Sequence, residues 1–322
     1  MKKPAVLFLL AVLSARVAFS QEFSFNILPT AINPAFTGLF DGRVRATALL
    51  KRQWSAARPS FMAYGASADG RIDPKKSGYF ALGLAALDGR AADNSFRNSS
   101  GFASVAYHKL MGSTAAKAGV GRSDLAAGVQ LGYIQRNITI PQFRESFLPN
   151  VHQIGAGAQY LVLNVGLSFS HLPAKNFAYT IGLSGNNLNL FDDGTVNVQH
   201  PLLKITPSYT GLLAANWKLT NRFAIRPAAL HLIGTSFYVV GNEFRYNTSK
   251  ADALKTVFAT FWYRSTHIIS ANAGYEFKYY RISAGVDHYL SAHHPEGSGG
   301  FQLVARYIMP RQKKPAEATT AQ

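Results

Sequence analysis

The 322-residue chain contains no cysteine. That excludes disulfides, thiolate metal sites and a lipid-modified cysteine anchor. Long apolar runs are missing too. Beyond the first twenty residues no stretch reaches eighteen consecutive apolar positions, so membrane-spanning helices are not expected. Acidic residues are scarce: 16 Asp and Glu stand against 33 Lys and Arg, a net charge of +17. No helical pattern interleaves the other segments, which argues against an α/β fold. Phosphate loops and dinucleotide fingerprints are absent. His288 with His293-His294 is the one histidine cluster. With only Asp287 and Glu296 nearby, it reads as a loop carrying incidental histidines rather than a metal site. Serines and histidines are plentiful, but no nucleophile elbow or ordered third partner accompanies them. An enzyme is not expected, and neither is a cofactor.

What is present starts with an export signal. Lys2 and Lys3 precede a nine-residue apolar run, Ala5 to Leu13, too short to span a bilayer as a helix. Ala18 and Ser20 supply the small residues of a cleavage site, so residues 1–20 are expected to be removed. Losing Lys2, Lys3 and Arg16 lowers the charge from +17 to +14. An exported chain is not expected to meet nucleic acid. Its basic residues are spread over many segments, which suits anionic lipid headgroups, a lumen anion or an acidic protein partner.

From Arg43 onward the pattern has period two. Arg43, Arg45, Thr47, Lys51 and Gln53 share one face of the first segment; Val44, Ala46, Ala48, Leu50 and Trp54 share the other, with Arg52 interrupting. Leu125, Ala127, Val129, Leu131 and Tyr133 likewise oppose small or polar neighbours. The alternation places strands at 43–54, 60–72, 78–88, 99–110, 124–136, 152–160, 161–171, 204–217, 222–233, 236–247, 254–264, 267–277, 280–290 and 299–309. Most have the length that crosses an outer membrane at a tilt. The 22 Phe, 15 Tyr and near-zero mean hydropathy fit the same class. The expected fold is all-β: a transmembrane antiparallel barrel of about fourteen strands over 43–309, with sixteen as the runner-up. An N-terminal arm over 21–42 is expected on the periplasmic side, and a disordered periplasmic tail over 310–322. The connections 137–151 and 172–203 are the longest and are expected outside the cell; a tight periplasmic reversal is expected near residue 160. Weak alternation from Tyr179 to Leu188 is where an extra hairpin would hide.

Two motifs frame the first strand. Ahead of it stands Asn33-Pro34-Ala35-Phe36-Thr37-Gly38; at its end stands Lys51-Arg52-Gln53-Trp54. Pro34 biases Asn33 away from helix, and Phe36 and Gly38 either pack the arm against or inside the barrel base or simply lead into the strand. Trp54 and Arg52 suit anchoring at a membrane interface. In combination and spacing, the two motifs resemble the opening of the PorP/SprF membrane proteins of the type IX secretion system. Similar blocks recur at Gly83-Leu84 to Asp88, at Ser146 to Asn150 and from Gly300 to Tyr307.

The resemblance implies a non-enzymatic outer-membrane component that assists export or surface attachment of cargo carrying C-terminal sorting domains, gliding adhesins among them. The implied partners are outer-membrane lipid, cargo sorting domains, and periplasmic ring and motor components. Loop length makes Phe143, Arg144, Phe147 and Leu148 in one external loop, and Asn187, Phe191 and Asp192 in the other, the candidate partner-binding residues. The alternative is a porin or solute channel, for which inward Arg43, Arg45 and Lys51 would favour anions. A tucked N-terminal arm would argue against it. A lipid-acting barrel enzyme is a distant third.

Overall fold

A computed structural model describes residues 28–53, 60–75, 77–91, 95–112, 121–139, 155–189, 205–249, 255–290 and 299–310. Fourteen strands follow in chain order: β1 Val44–Gln53, β2 Phe61–Lys75, β3 Gly78–Ala91, β4 Phe96–Met111, β5 Arg122–Thr139, β6 Gly155–Ala174, β7 Phe177–Asn189, β8 Ser208–Lys218, β9 Phe223–Ile233, β10 Tyr238–Asn247, β11 Lys255–Arg264, β12 Ile268–Phe277, β13 Tyr280–Tyr289 and β14 Gly300–Met309. Each pairs antiparallel with its neighbours, and β1 closes on β14 with Val44 opposite Met309. Closure leaves no free sheet edge around the wall, the condition for crossing lipid with strands.

The period-two pattern becomes an inside and an outside. In β1 the side chains of Arg45, Thr47, Leu49, Lys51 and Gln53 are buried in the lumen, while the alternate set faces out. Outward apolar residues stay exposed, Leu84 by 66% and Leu167 by 58%. Fully burying one such side chain is worth about 1.5–3 kcal/mol, so dozens of them left in water would forfeit that stabilisation and form an aggregating surface. Lipid is the solvent this face requires.

Aromatic contacts trace a belt near the end where β1 begins and β14 finishes, the terminal end of the barrel wall. Phe80 meets Tyr107, Phe177 meets Trp217, Phe223 meets Phe244, and Tyr280 links Phe277 to Tyr307. Tyr133, Tyr209, Tyr238 and Phe301 face outward toward the opposite end. Two such belts mark the two water–lipid boundaries. Connections at the terminal end include the short turns 175–176 and 278–279; Thr139 and Asn189, the last residues of β5 and β7, lie at the opposite end. Short turns on the side where the strand wall starts and ends are the periplasmic arrangement.

Two elements differ from the sequence expectation, and the differences cancel in the count. β6 is one strand, not two: Tyr160 and Leu161 pair in unbroken register with Ile134 and Tyr133. Its upper residues, Gly155 to Leu161, extend past the point where Val162 meets the end of β7, so its length exceeds what a single crossing needs. The reversal lies at 175–176 instead of near 160. The span 172–203 is not one loop either, since β7 occupies Phe177–Asn189. Its alternation is weak because the inward residues are small or polar (Gly182 and Ser184). A register shift beside Asn187, whose φ is +57°, also breaks the phase. The expected signal segment 1–20 and the tail 311–322 lie outside the described residues.

Candidate functional site

The N-terminal motif does not hang below the barrel. Of the expected periplasmic arm, 28–42 is described, and residues 28–40 of it lie within the lumen. Two 3-10 turns, Pro29–Ala31 and Pro34–Phe36, shape the segment. Asn33 caps the second turn in extended conformation, as a residue before proline must. Its Oδ1 accepts from the Ala35 N–H at 2.9 Å. Its Nδ2 donates to the carbonyls of Leu167 and Leu183, both at 3.1 Å, which face each other across β6 and β7. One carboxamide thus fixes the turn internally and ties it to two strands.

The wall makes room by omission. Gly128, Gly166 and Gly182 point inward from β5, β6 and β7. A methyl at Gly166 would overlap the Asn33 side chain, one at Gly128 would overlap the Pro34 backbone, and one at Gly182 would come within 2.8 Å of Phe36. From there Phe36 reaches across to Leu212 of β8 and Trp262 of β11. The plug therefore spans the lumen from the β5–β7 wall to the β8–β11 wall. At its upper end Leu28 packs with Leu49 and Val304.

Polar wall residues complete the attachment. Gln130 donates to the Thr30 carbonyl at 3.1 Å and accepts from Asn164 at 2.7 Å; Ser184 donates to the Ile32 carbonyl at 2.8 Å. His108 Nε2 donates to the Thr37 carbonyl at 2.8 Å, while its Nδ1 lies 2.9 Å from Asp124 Oδ1 and its ring stacks on Tyr79. Gly38 has φ +78°, a conformation only glycine adopts without strain, and its N–H donates to Asp69 at 2.7 Å. Asp69 also holds Arg45 through two bonds of 2.8 Å, and Arg45 donates to the Phe36 carbonyl. Arg71 donates to the carbonyls of Gly38 and Phe40. Arg45 and Asp69 are both buried, so each charge depends on the other.

The second motif is not brought to the first. Arg52 faces outward and is exposed near the loop end, Gln53 is buried in the lumen, and Trp54 lies outside the described residues. Lys51 turns inward to Asp287 at 2.8 Å, with Arg264 at 3.5 Å from the same carboxylate. Of the candidate loop residues, Phe143, Arg144, Phe147, Leu148, Phe191 and Asp192 lie outside the described residues. Asn187 is a β7 residue, not a loop residue, and its N–H donates to Asn164 Oδ1 at 2.7 Å. Sequence reasoning missed Asp69, His108, Asp124 and the glycine track. The available signal was a carboxylate or histidine on the lumen face of a strand in a chain poor in acids.

Comparison with known proteins adds to this geometry. The family model described as "Type IX secretion system membrane protein PorP/SprF" matches residues 13–307. No match to a curated protein was found. Among solved structures, the toluene transporter TbuX of Ralstonia pickettii aligns with a TM-score of 0.52 at 11% identity, covering 86% of this chain and 92% of that one. The toluene transporter TodX of Pseudomonas putida gives 0.51 at 9% identity, with 85% and 91% covered. A FadL homologue of Pseudomonas aeruginosa gives 0.52 at 10% identity, with 85% and 92% covered. At these identities the likeness is one of fold.

Proposed function

The chain belongs to the PorP/SprF family of type IX secretion system membrane proteins, and on that premise we propose that it is a plugged platform for exported cargo rather than a conduit. It is an integral outer-membrane component of that system. The finer reading is that it assists export or surface attachment of proteins with C-terminal sorting domains, including gliding adhesins. In this reading the loops 140–154 and 190–207 hold the sorting domain, with Phe143, Arg144, Phe147, Leu148, Phe191 and Asp192 as contact residues. The terminal-end turns meet the periplasmic ring and motor components. Cleavage behind Ser20 delivers the arm to the lumen during assembly.

The observation that carries this reading is the plug. The lumen is crossed by a segment tied at Asn33 to β6 and β7 and packed at Phe36 on β8 and β11, which favours a platform over a conduit. A channel would require the motif to leave its site, against at least the bonds made by Asn33, Gly38 and Thr37. The two ends of the barrel remain as the working surfaces. No chemistry on substrate is assigned.

The test is a pull-down of the tagged protein from native outer membrane, read by mass spectrometry. Large exported proteins with sorting domains, or type IX ring components, are the expected co-purifying species. A barrel recovered with lipid and chaperones alone would overturn the platform reading. Replacing 140–154 by a short turn is expected to abolish cargo display. Unchanged display would remove that loop from the mechanism.

A further inference from the structure

Four arginines face the lumen close to the terminal end: Arg226 of β9, Arg245 of β10, Arg281 of β13 and Arg306 of β14. Two carboxylates stand among them. Glu243 lies 2.5 Å from Arg281, 3.0 Å from Arg245 and 3.4 Å from Arg226; Glu276 lies 3.0 Å from Arg245 and 3.7 Å from Arg281. Four guanidinium charges against two carboxylate charges leave this cluster at +2. Arg281 and Arg306 are moreover direct cross-strand partners on the lumen face. Like charges placed opposite each other on one face destabilise a sheet unless an anion lies near them. Glu243 and Glu276 supply such anions to Arg226, Arg245 and Arg281.

The cluster is also a place with a shape. Its ceiling is the apolar group formed by Phe36 of the plug with Leu212 and Trp262, against which Ala228, the next inward residue above Arg226, is packed. The side chains of Arg226 and Glu276 remain 41% and 36% exposed although both face inward, so water reaches them. The result is a basic vestibule on the lumen face, beneath the apolar group of Phe36, Leu212 and Trp262 and reached by water at Arg226 and Glu276. A low-dielectric wall around a net positive charge concentrates anions. Guanidinium forks match phosphate and carboxylate oxygens in pairs.

We propose that this vestibule binds a polyvalent oxyanion, phosphate or carboxylate, presented from the periplasmic side. Arg226 is the leading contact, because it is the most exposed of the three arginines around Glu243 and its Nε is already oriented by Asn216 Oδ1 at 3.1 Å. Arg245 and Arg281 set the field and hold the acids in place. The inference rests on the lumen geometry and stands apart from the cargo reading.

The experiment is isothermal titration of the purified, detergent-solubilised barrel with sodium pyrophosphate and, separately, with citrate, at constant ionic strength in chloride. Saturable binding of one or both is expected, and the stronger probe tells phosphate from carboxylate. Arg226→Gln is expected to weaken it about tenfold or more, the loss of a charge-assisted contact. Arg226→Lys should fall between, keeping the charge but not the fork. Arg97→Gln, on the exposed pair with Asp88 far up β4, should leave binding unchanged. Folding of each variant is checked by heat-modifiable gel mobility, and Arg245→Gln serves as a second variant. Absence of saturable binding to the unaltered protein overturns the proposal, and so does binding that Arg226→Gln and Arg245→Gln both leave intact.

Discussion

The side chain of Asn33 occupies the space that a side chain at Gly166 would take. The two residues lie far apart in sequence, one in the N-terminal motif and one in the middle of β6, yet each explains the other. Gly166 weakens its strand slightly and has no side chain to pack in a wall, unless another part of the chain fills the gap. Asn33 is a polar residue that would be costly to bury, unless its amide found carbonyls to serve.

Substitution of Gly166 by Leu should eject the plug while leaving the barrel closed. Overpacking of this kind typically costs about 1–3 kcal/mol when the core can adjust, and the backbone of β6 cannot. Limited proteolysis reads the outcome. The arm becomes cleavable near residues 28–40, while heat-modifiable mobility of the barrel is retained.

Asn33→Asp should be worse than Asn33→Ala, though it is nearly isosteric. The carboxylate keeps the cap to Ala35 but turns two donations, to Leu167 and Leu183, into contacts between acceptors. Leaving such buried groups unpaired costs about 1–3 kcal/mol, and more for a charge. Protease susceptibility of the arm should rank Asp above Ala above the natural Asn. Equal susceptibility of Asp and Asn would contradict the donor role.

Asp69→Asn should loosen the base of the plug. It leaves the Arg45 guanidinium buried without its counter-charge, and loss of one partner from a buried pair typically costs about 3–5 kcal/mol. The double variant Arg45→Met with Asp69→Leu should recover part of that loss. A double-mutant cycle of Arg45→Met, Asp69→Leu and their combination, read on urea midpoints, measures the coupling, expected to be at least about 1 kcal/mol.

Deletion of residues 21–42 should open the lumen. In planar bilayers the full-length barrel is expected to be silent, and the deleted form to show steady conductance. Conductance of the full-length protein equal to that of the deletion would mean that the plug does not seal the lumen.

Much of this molecule was legible in its sequence. The two faces of β1 could be read directly, because a strand sends alternate side chains to opposite sides and a membrane barrel demands lipid on one of them. The boundaries of β8 to β14 follow from the same alternation, within a few residues. β6 and β7 were misread for a physical reason. Twenty residues of β6 exceed one crossing, and no local feature says that a strand continues beyond the membrane. In β7 the bulge at Asn187 and the small inward residues erase the pattern that would have announced it.

The sequence by itself determined the class: strands, closure in lipid, and a motif set ahead of the first strand. Only the tertiary structure decided where that motif goes. Register across three strands brings Gly128, Gly166 and Gly182 to one place on the lumen wall, and it aims Leu167 and Leu183 at the same amide. Alternation says which residues face inward. It cannot say which inward residues share a height, because that depends on the shear of a closed sheet, a property of all fourteen strands together.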